Sequence, residues 1–351
     1  MKHPGEELQE KLNTSGMSRK ELALRTDVTE KHICTIVNGD KGISTAFARK
    51  LGYVFETPGY WIKLQAEYDA YQLSLQEEYE ISQDELNILK ALHDIVQYFI
   101  ECGYMHNNCG EASKIIQLRE LLQISDLTQI PKITYNAAYR AQLTSNVKVD
   151  PYVLFAWQRL CEKQTEGIIT RKFINRELLR ENVEQIKKAM FGNISEGIEE
   201  IQKIMAECGI AFQVVRNFRG APVQGFIKKT SEERLILCLT IRGKRADRFW
   251  FTLFHEIAHI LHEDYKTRFV DFDSVHGKEE QLADQYAGDI LIAPEKYHKF
   301  ILSGKCTSWS EIETFAQDVN VEPFIVLGRL QNDGILDWSD YTEKVVQYEW
   351  A

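Results

Sequence analysis

The chain has 351 residues, 44% hydrophobic and 27% charged, with a formal net charge of −10. That length accommodates two or three domains with separate cores, and the composition is ordinary for a soluble globular protein. With no leader pattern and no apolar run near the roughly 20 residues that cross a bilayer, a cytoplasmic address is expected, and the net acidity excludes nonspecific nucleic-acid affinity for the chain as a whole.

Any DNA contact must therefore come from the front, where residues 1–65 hold ten Lys/Arg against eight Asp/Glu. Residues 5–16 show apolar positions at helical spacing, ended by Gly16. In "SRKELALR" Ser18 and Glu21 form a capping box that opens a helix over about 19–25. Thr29 caps a second short helix with Ile33, Ile36 and Val37 inward, and Asn38-Gly39 ends it. Two short helices joined by a tight turn make a helix-turn-helix, whose second helix enters the major groove. Glu30, Lys31, His32 and Thr35 are the reading-face candidates, and Arg19 and Lys20 the phosphate contacts. The competing reading is a plain helical bundle with a polar face. The stretch "SRKELALRTDVTEKHICTIVNGDKGISTAFARKLG", followed by "TPGYWIKLQAEYD", resembles the Xre-type domain of HigA-type antitoxins over roughly residues 4–70. The resemblance implies operator DNA as a partner, and such readers commonly bind as homodimers on two half-sites. Thr35 departs from the basic residue such antitoxins often carry there.

Beyond an acidic joint, "LQEEYE", the middle of the chain is helical and chemically quiet. In 82–103 Leu86, Leu89, Leu92, Ile95, Val96 and Phe99 form one stripe behind a Ser82/Glu85 capping box. "EASKIIQLRELLQI" and "PYVLFAWQRLCEKQ" repeat the pattern, so 76–165 reads as a connector after a DNA-binding domain at 1–75. The seven scattered cysteines, never in a CxxC pair, predict reduced thiols rather than disulfides or a thiolate metal site.

From 166 the texture changes. "GIAFQVVRNF", "APVQGFIKK" and "RLILCLTIRG" read as short strands among helices, so an α+β domain is expected over 166–351. Its focus is "RFWFTLFHEIAHILH", a helix predicted from about Ala246 to His262 and apolar nearly all round. His255, Glu256 and His259 lie in it, and burying such groups without a partner is costly. His255 and His259, one turn apart, project from one face. HExxH on a helix is the zinc-peptidase arrangement, with two imidazoles as ligands and Glu256 as general base. A third ligand is required. In "KEEQLADQYAGDILIAP" Glu280 and Asp284 lie one turn apart, so Glu280 can bind zinc while Asp284 accepts a ligand histidine's ring N–H. Glu279 is the alternative ligand, and manganese or iron would also suit the donor set. His262 reads as structural, Tyr286 and Tyr265 as core tyrosines, and His276 as part of a polar loop.

"FHEIAHILH" followed by "EEQLADQYAGDILIAP" resembles the ImmA/IrrE family of metallopeptidases. The resemblance implies that His255, His259 and Glu280 are metal ligands and Glu256 the base. "FAQDVNVEPFIVLGRLQ" is similar to the C-terminal helices of proteins that fuse this peptidase to an Xre domain. Leu282 stands where the family often has glutamate, a position expected to face away from the metal. The expected fold is mainly α with an α+β C-terminal domain: a helix-turn-helix bundle, a helical connector and a small-sheet zincin-like domain. The expected function is a DNA-binding transcriptional regulator with a zinc-dependent endopeptidase that cleaves a regulatory protein, or itself, to relieve repression. The second reading is an antitoxin or repressor whose peptidase fold senses metal or holds a cognate toxin without significant proteolysis.

Overall fold

A computed structural model describes residues 1–134, 149–230, 234–263, 270–272 and 278–349. The chain divides into two compact units: Met1–Leu86 with Gly110–Ile116, and Asn87–Cys109 with Gln117–Ala351. None of the described helices is long and apolar enough to cross a membrane.

The first unit is built on α1 (Pro4–Ser15), α2 (Arg19–Thr26), α3 (Glu30–Val37), α4 (Thr45–Leu51) and α5 (Pro58–Tyr79). Each boundary has a local cause. Gly16 ends α1 at φ 68°, the left-handed conformation that suits glycine. Ser18 accepts from the Glu21 amide and Thr29 from the His32 amide, each supplying one of the orphan donors of a helix start. The box expected at Ser18 is only half made, because the Glu21 carboxylate turns to Arg25 at 2.6 Å. Leu8, Leu12, Leu22, Ile33, Ile36, Phe47, Leu51 and Trp61 form the core, while Val37 is only partly buried. Gly5 lets α1 lie directly on α3, since a Cβ there would stand 1.8 Å from the Ile36 carbonyl oxygen.

Residues 75–79 continue α5, and the division passes through α6 (Gln83–Ala91) and α8 (Glu111–Leu122). The helix expected over 82–103 breaks at Leu92 (φ −87°, ψ 8°) into α6 and α7 (His93–Glu101). Neither glycine nor proline marks the break, and Leu92 is buried where it occurs. Leu86, expected in the apolar stripe, is only partly buried. Later come α9 (Ile130–Thr134) and α10 (Pro151–Thr165). α10 belongs to the second unit because its apolar face covers the sheet there: the Trp157 indole lies 5.8 Å from the Phe226 ring and its N–H donates to the Arg216 carbonyl at 2.9 Å.

That sheet has the order β1 (Ile210–Val214), β3 (Leu235–Leu239), β2 (Val223–Lys229), β4 (Val270–Phe272). β1 and β3 are parallel, and β2 runs antiparallel to both β3 and β4. β3, "LILCL", is apolar without alternation and buried throughout, as a strand covered on both faces must be. Leu235, Leu237 and Leu239 join the main core beside Phe249, Leu253 and Ile257 of α13 (Ala246–His262). Cys238, on the opposite face, has its sulfur 4.0 Å from the Cys161 carbonyl of α10. The strand-rich C-terminal portion is thus an α+β arrangement in a mainly helical chain. α11 (Arg176–Lys188) and α12 (Ile194–Glu207) precede the sheet. α14 (Lys278–Leu291), α15 (Pro294–Leu302), α16 (Trp309–Asp318) and α17 (Pro323–Asn332) follow it. All seven cysteines are free.

Candidate metal centre

α13 spans the residues its apolar pattern predicts, and His255, Glu256 and His259 are 5%, 3% and 3% exposed. Its ends are pinned from outside. Asp247 in the first turn pairs with Arg245 at 2.9 Å, a favourable place for an anion at a helix N-terminus. At the other end the Arg176 guanidinium donates to the Ile260 carbonyl at 3.1 Å and pairs with Glu263 at 2.8 Å.

α14 packs along α13 and carries the second half of the centre. Pro294 opens the next helix, and the last carbonyls of α14 find cationic donors. Lys187 of α11 reaches the Ile290 oxygen at 3.0 Å, and Arg329 of α17 reaches those of Gly288 and Ile292 at 2.8 and 2.9 Å.

This packing brings three donor side chains to one point. The ligand atoms of His255, His259 and Glu280, all buried, lie within 4.8 Å of one another. The two Nε2 atoms are 2.9 Å apart. Glu280 Oε2 lies 3.4 Å from His255 Nε2, and its Oε1 lies 3.5 Å from His259 Nε2. His255 Nδ1 is 2.9 Å from Asp284 Oδ1. A carboxylate there accepts the Nδ1–H and leaves the Nε2 lone pair facing Glu280, the partner that fixes tautomer and ring orientation in metal sites. Donors held at 2.0–2.2 Å in a tetrahedral shell stand roughly 3.3 Å apart, close to the spacings from Glu280. Two imidazoles and a carboxylate therefore form a group that can bind a divalent metal.

Glu256 occupies a different niche. A Cβ on Gly225 of β2 would stand 1.9 Å from Glu256 Oε1, so the carboxylate lies directly against the strand backbone. Sequence reasoning missed Gly225, although a glycine inside a strand often marks such a close approach. It missed Arg329 and Lys187 too, whose partners lie 37 and 41 residues away for Arg329 and 103 residues away for Lys187. Beside the metal group opens a cleft of about 740 Å³, in which α13 presents Arg248, Phe251 and His255, and α14 presents Glu280, Asp284 and Gly288. Ile325 and Gly328 of α17 and the half-exposed Trp338 complete its walls.

Other residues singled out in the sequence lie elsewhere. Leu282 is 47% exposed and does not face the donor group. His262 is exposed, its ring edge-on to Tyr286 at 5.8 Å, and burial raises the Tyr286 phenol above its usual range. Tyr265, His276 and the side chain of Glu279 lie outside the described residues. In the first unit Lys20, Glu30 and Lys31 are exposed. His32 is half-buried, edge-on to Phe47 at 5.2 Å, and Thr35 donates to the His32 carbonyl at 2.9 Å. Arg19, expected on phosphate, donates through Nε and Nη2 to Gln9 Oε1 at 3.0 and 2.6 Å.

No family model matches the chain. It is similar to the virulence-associated protein A' of Dichelobacter nodosus, 38% identical over 76 residues, which is 21% of this chain. The match spans 66% of that relative, just under two thirds of its length. An addiction module antidote protein of a HigA family from Coxiella burnetii matches 23% of this chain and 95% of its own at 31% identity, with a TM-score of 0.21. Each of these two matches covers less than a quarter of the chain.

Proposed function

We propose that this chain is a DNA-binding regulator whose second unit is a zinc-dependent endopeptidase. The observation that carries the reading is the buried convergence of His255, His259 and Glu280, with Asp284 on His255 Nδ1. His255, His259 and Glu280 would hold the ion. When bound, a divalent zinc supplies Lewis acidity, which makes water acidic near neutral pH and polarises a peptide carbonyl. Glu256 takes the proton at its carboxylate and returns it to the departing amine. Asp284 keeps the His255 imidazole in the tautomer that leaves Nε2 a donor. The cleft beside the donors receives the peptide.

In the first unit, α2 and α3 with their turn support DNA reading. Glu30 and Lys31 at the exposed start of α3 reach base edges, and Lys20 reaches phosphate. Two copies on two half-sites would form the repressing complex, and cleavage of a partner regulator or of this chain would dissolve it.

Two measurements test this. Zinc-loaded, desalted protein should retain one equivalent of zinc, and His255→Ala should lose it; a wild type that retains none removes the basis of the reading. Intact-mass spectra of the zinc-loaded chain, incubated with operator-bearing DNA and co-purifying proteins, should show fragments missing from a Glu256→Gln sample. Identical masses in the two samples would favour instead an antitoxin-like repressor that only senses metal or holds a toxin.

A further inference from the structure

Where α13 begins and α14 ends, both donor helices rest on α17, and two consecutive residues of α17 touch one helix each. Gly328 faces α13. A Cβ there would stand 2.2 Å from Asp247 Oδ2 and 2.7 Å from its Cβ, so the first turn of α13 lies directly against the α17 backbone. No positive φ is involved, so this close approach is what calls for glycine. Gln331, about one turn on, accepts from Arg245 Nη2 at 2.8 Å, and the same guanidinium holds Asp247 at 2.9 and 3.1 Å. Arg329 faces α14. Its Nη1 donates to the Gly288 and Ile292 carbonyls at 2.8 and 2.9 Å. The guanidinium is itself held, 4.0 Å over the Tyr297 ring of α15 and 3.9 Å from Asp333, which also accepts the Tyr297 hydroxyl at 2.8 Å.

We infer that α17 sets the spacing of the two donor helices, and that Arg329 is a positioning residue for the metal donors of α14. A plain helix cap would account for Arg329 by itself, since a cation at a helix C-terminus is favourable. It would not account for the contact that the preceding residue makes with the other donor helix. Gly288 lies one turn beyond Asp284 and two beyond Glu280, while Asp247 lies about two turns before His255. The two residues of α17 therefore fix α13 and α14 at points rigidly connected to the donors through regular helix. Metal sites tolerate departures of only about 0.2 Å from ideal donor distances, and Glu280 stands 3.4 and 3.5 Å from the two imidazoles. A larger slide of α14 along α13 takes the carboxylate off the ion while each helix stays intact. The inference rests on the metal-binding part of the reading above and does not require peptide cleavage.

The test uses the full chain and two readouts: zinc affinity of the folded protein by chelator competition, and the melting temperature of the zinc-free protein. Arg329→Met should weaken zinc binding roughly tenfold, the low end of what groups behind metal ligands contribute. Arg329→Lys should recover most of that loss, because an ammonium can still donate to two carbonyls. Gly328→Ala displaces Asp247 and should weaken zinc binding as well, so the inference stays testable if Arg329→Met does not fold. The control is Ile201→Ala, a buried residue of α12, which packs on β1 and α11. It should lower the melting temperature and leave zinc affinity at the wild-type value. Wild-type zinc affinity in folded Arg329→Met or Gly328→Ala overturns the inference and leaves the metal centre standing. So does an affinity loss in Ile201→Ala that matches theirs at equal loss of melting temperature, since affinity would then follow stability alone. A wild type that binds no zinc overturns the metal centre and the positioning role together.

Discussion

Asp284 Oδ1 lies 2.9 Å from His255 Nδ1, while Glu280, one helical turn earlier, places Oε2 3.4 Å from Nε2 of the same imidazole. One turn of α14 thus grips both nitrogens of a ring carried by α13. Partners of this kind typically account for 10–100-fold in metal affinity. Asp284→Ala should weaken zinc binding by that factor in chelator competition, with Asp284→Asn intermediate because its amide oxygen still accepts the Nδ1–H. Unchanged affinity in both variants would show that the contact does not orient the ligand.

If Glu256 is the general base of the proposed peptidase, its contact with Gly225 allows metal binding and proton transfer to be tested apart. Gly225→Ala puts a methyl where the carboxylate lies, so either Glu256 moves or the core is strained by about 1–3 kcal/mol. Zinc stoichiometry should persist, and cleavage should fall by about 10²–10⁴, the usual share of a general base. A variant with full activity would place the base elsewhere.

Burial pushes the Cys208 thiol up to about 11 from 9.0, with the nearby Glu207 adding to the shift and Arg171 opposing it. The folded state therefore holds the proton more tightly than the unfolded chain. The corresponding stability is fully present below pH 9 and is lost as pH rises from 9 toward 11. Two pH units amount to about 3 kcal/mol at most. Urea unfolding of wild type and Cys208→Ala should converge or cross over that interval; parallel pH profiles would count against a buried neutral thiol.

The exposed Lys20 and the engaged Arg19 should behave differently on DNA. Lys20→Ala should weaken binding evenly across sequences and reduce the slope of log K against log salt by about 0.9, one released counterion. Gln9→Ala removes the acceptor of the Arg19 Nε and Nη2 hydrogens, leaving the Nη1 contact with Cys34 Sγ at 3.7 Å, and should leave the slope equal or steeper. A slope unaffected by Lys20→Ala would move the phosphate contact to another residue.

Much of the local structure was legible because it is written in short-range chemistry. Ser18, Thr29 and Gly16 mark helix ends through bonds and conformations made within four residues. The bounds of α13 follow from an unbroken apolar run, and the four-residue spacing of His255 and His259 places them on one face of any helix. The break at Leu92 was not legible, since propensity favours an uninterrupted helix there and Leu92 is as buried as its neighbours Ile95 and Phe99.

What the sequence alone determined is the set of donors: two imidazoles one turn apart, and a carboxylate and its neighbour one turn apart on a second helix. Their convergence was decided by the tertiary structure. Glu280 lies 21 residues beyond His259, a separation at which spacing carries no information about distance. It meets the imidazoles because α14 packs along α13, and its last carbonyls are held by Lys187 and Arg329 from distant segments. The same packing set Glu256 against Gly225 and left Gly288 facing the cleft, relationships that depend on which backbones approach each other and that no local pattern records.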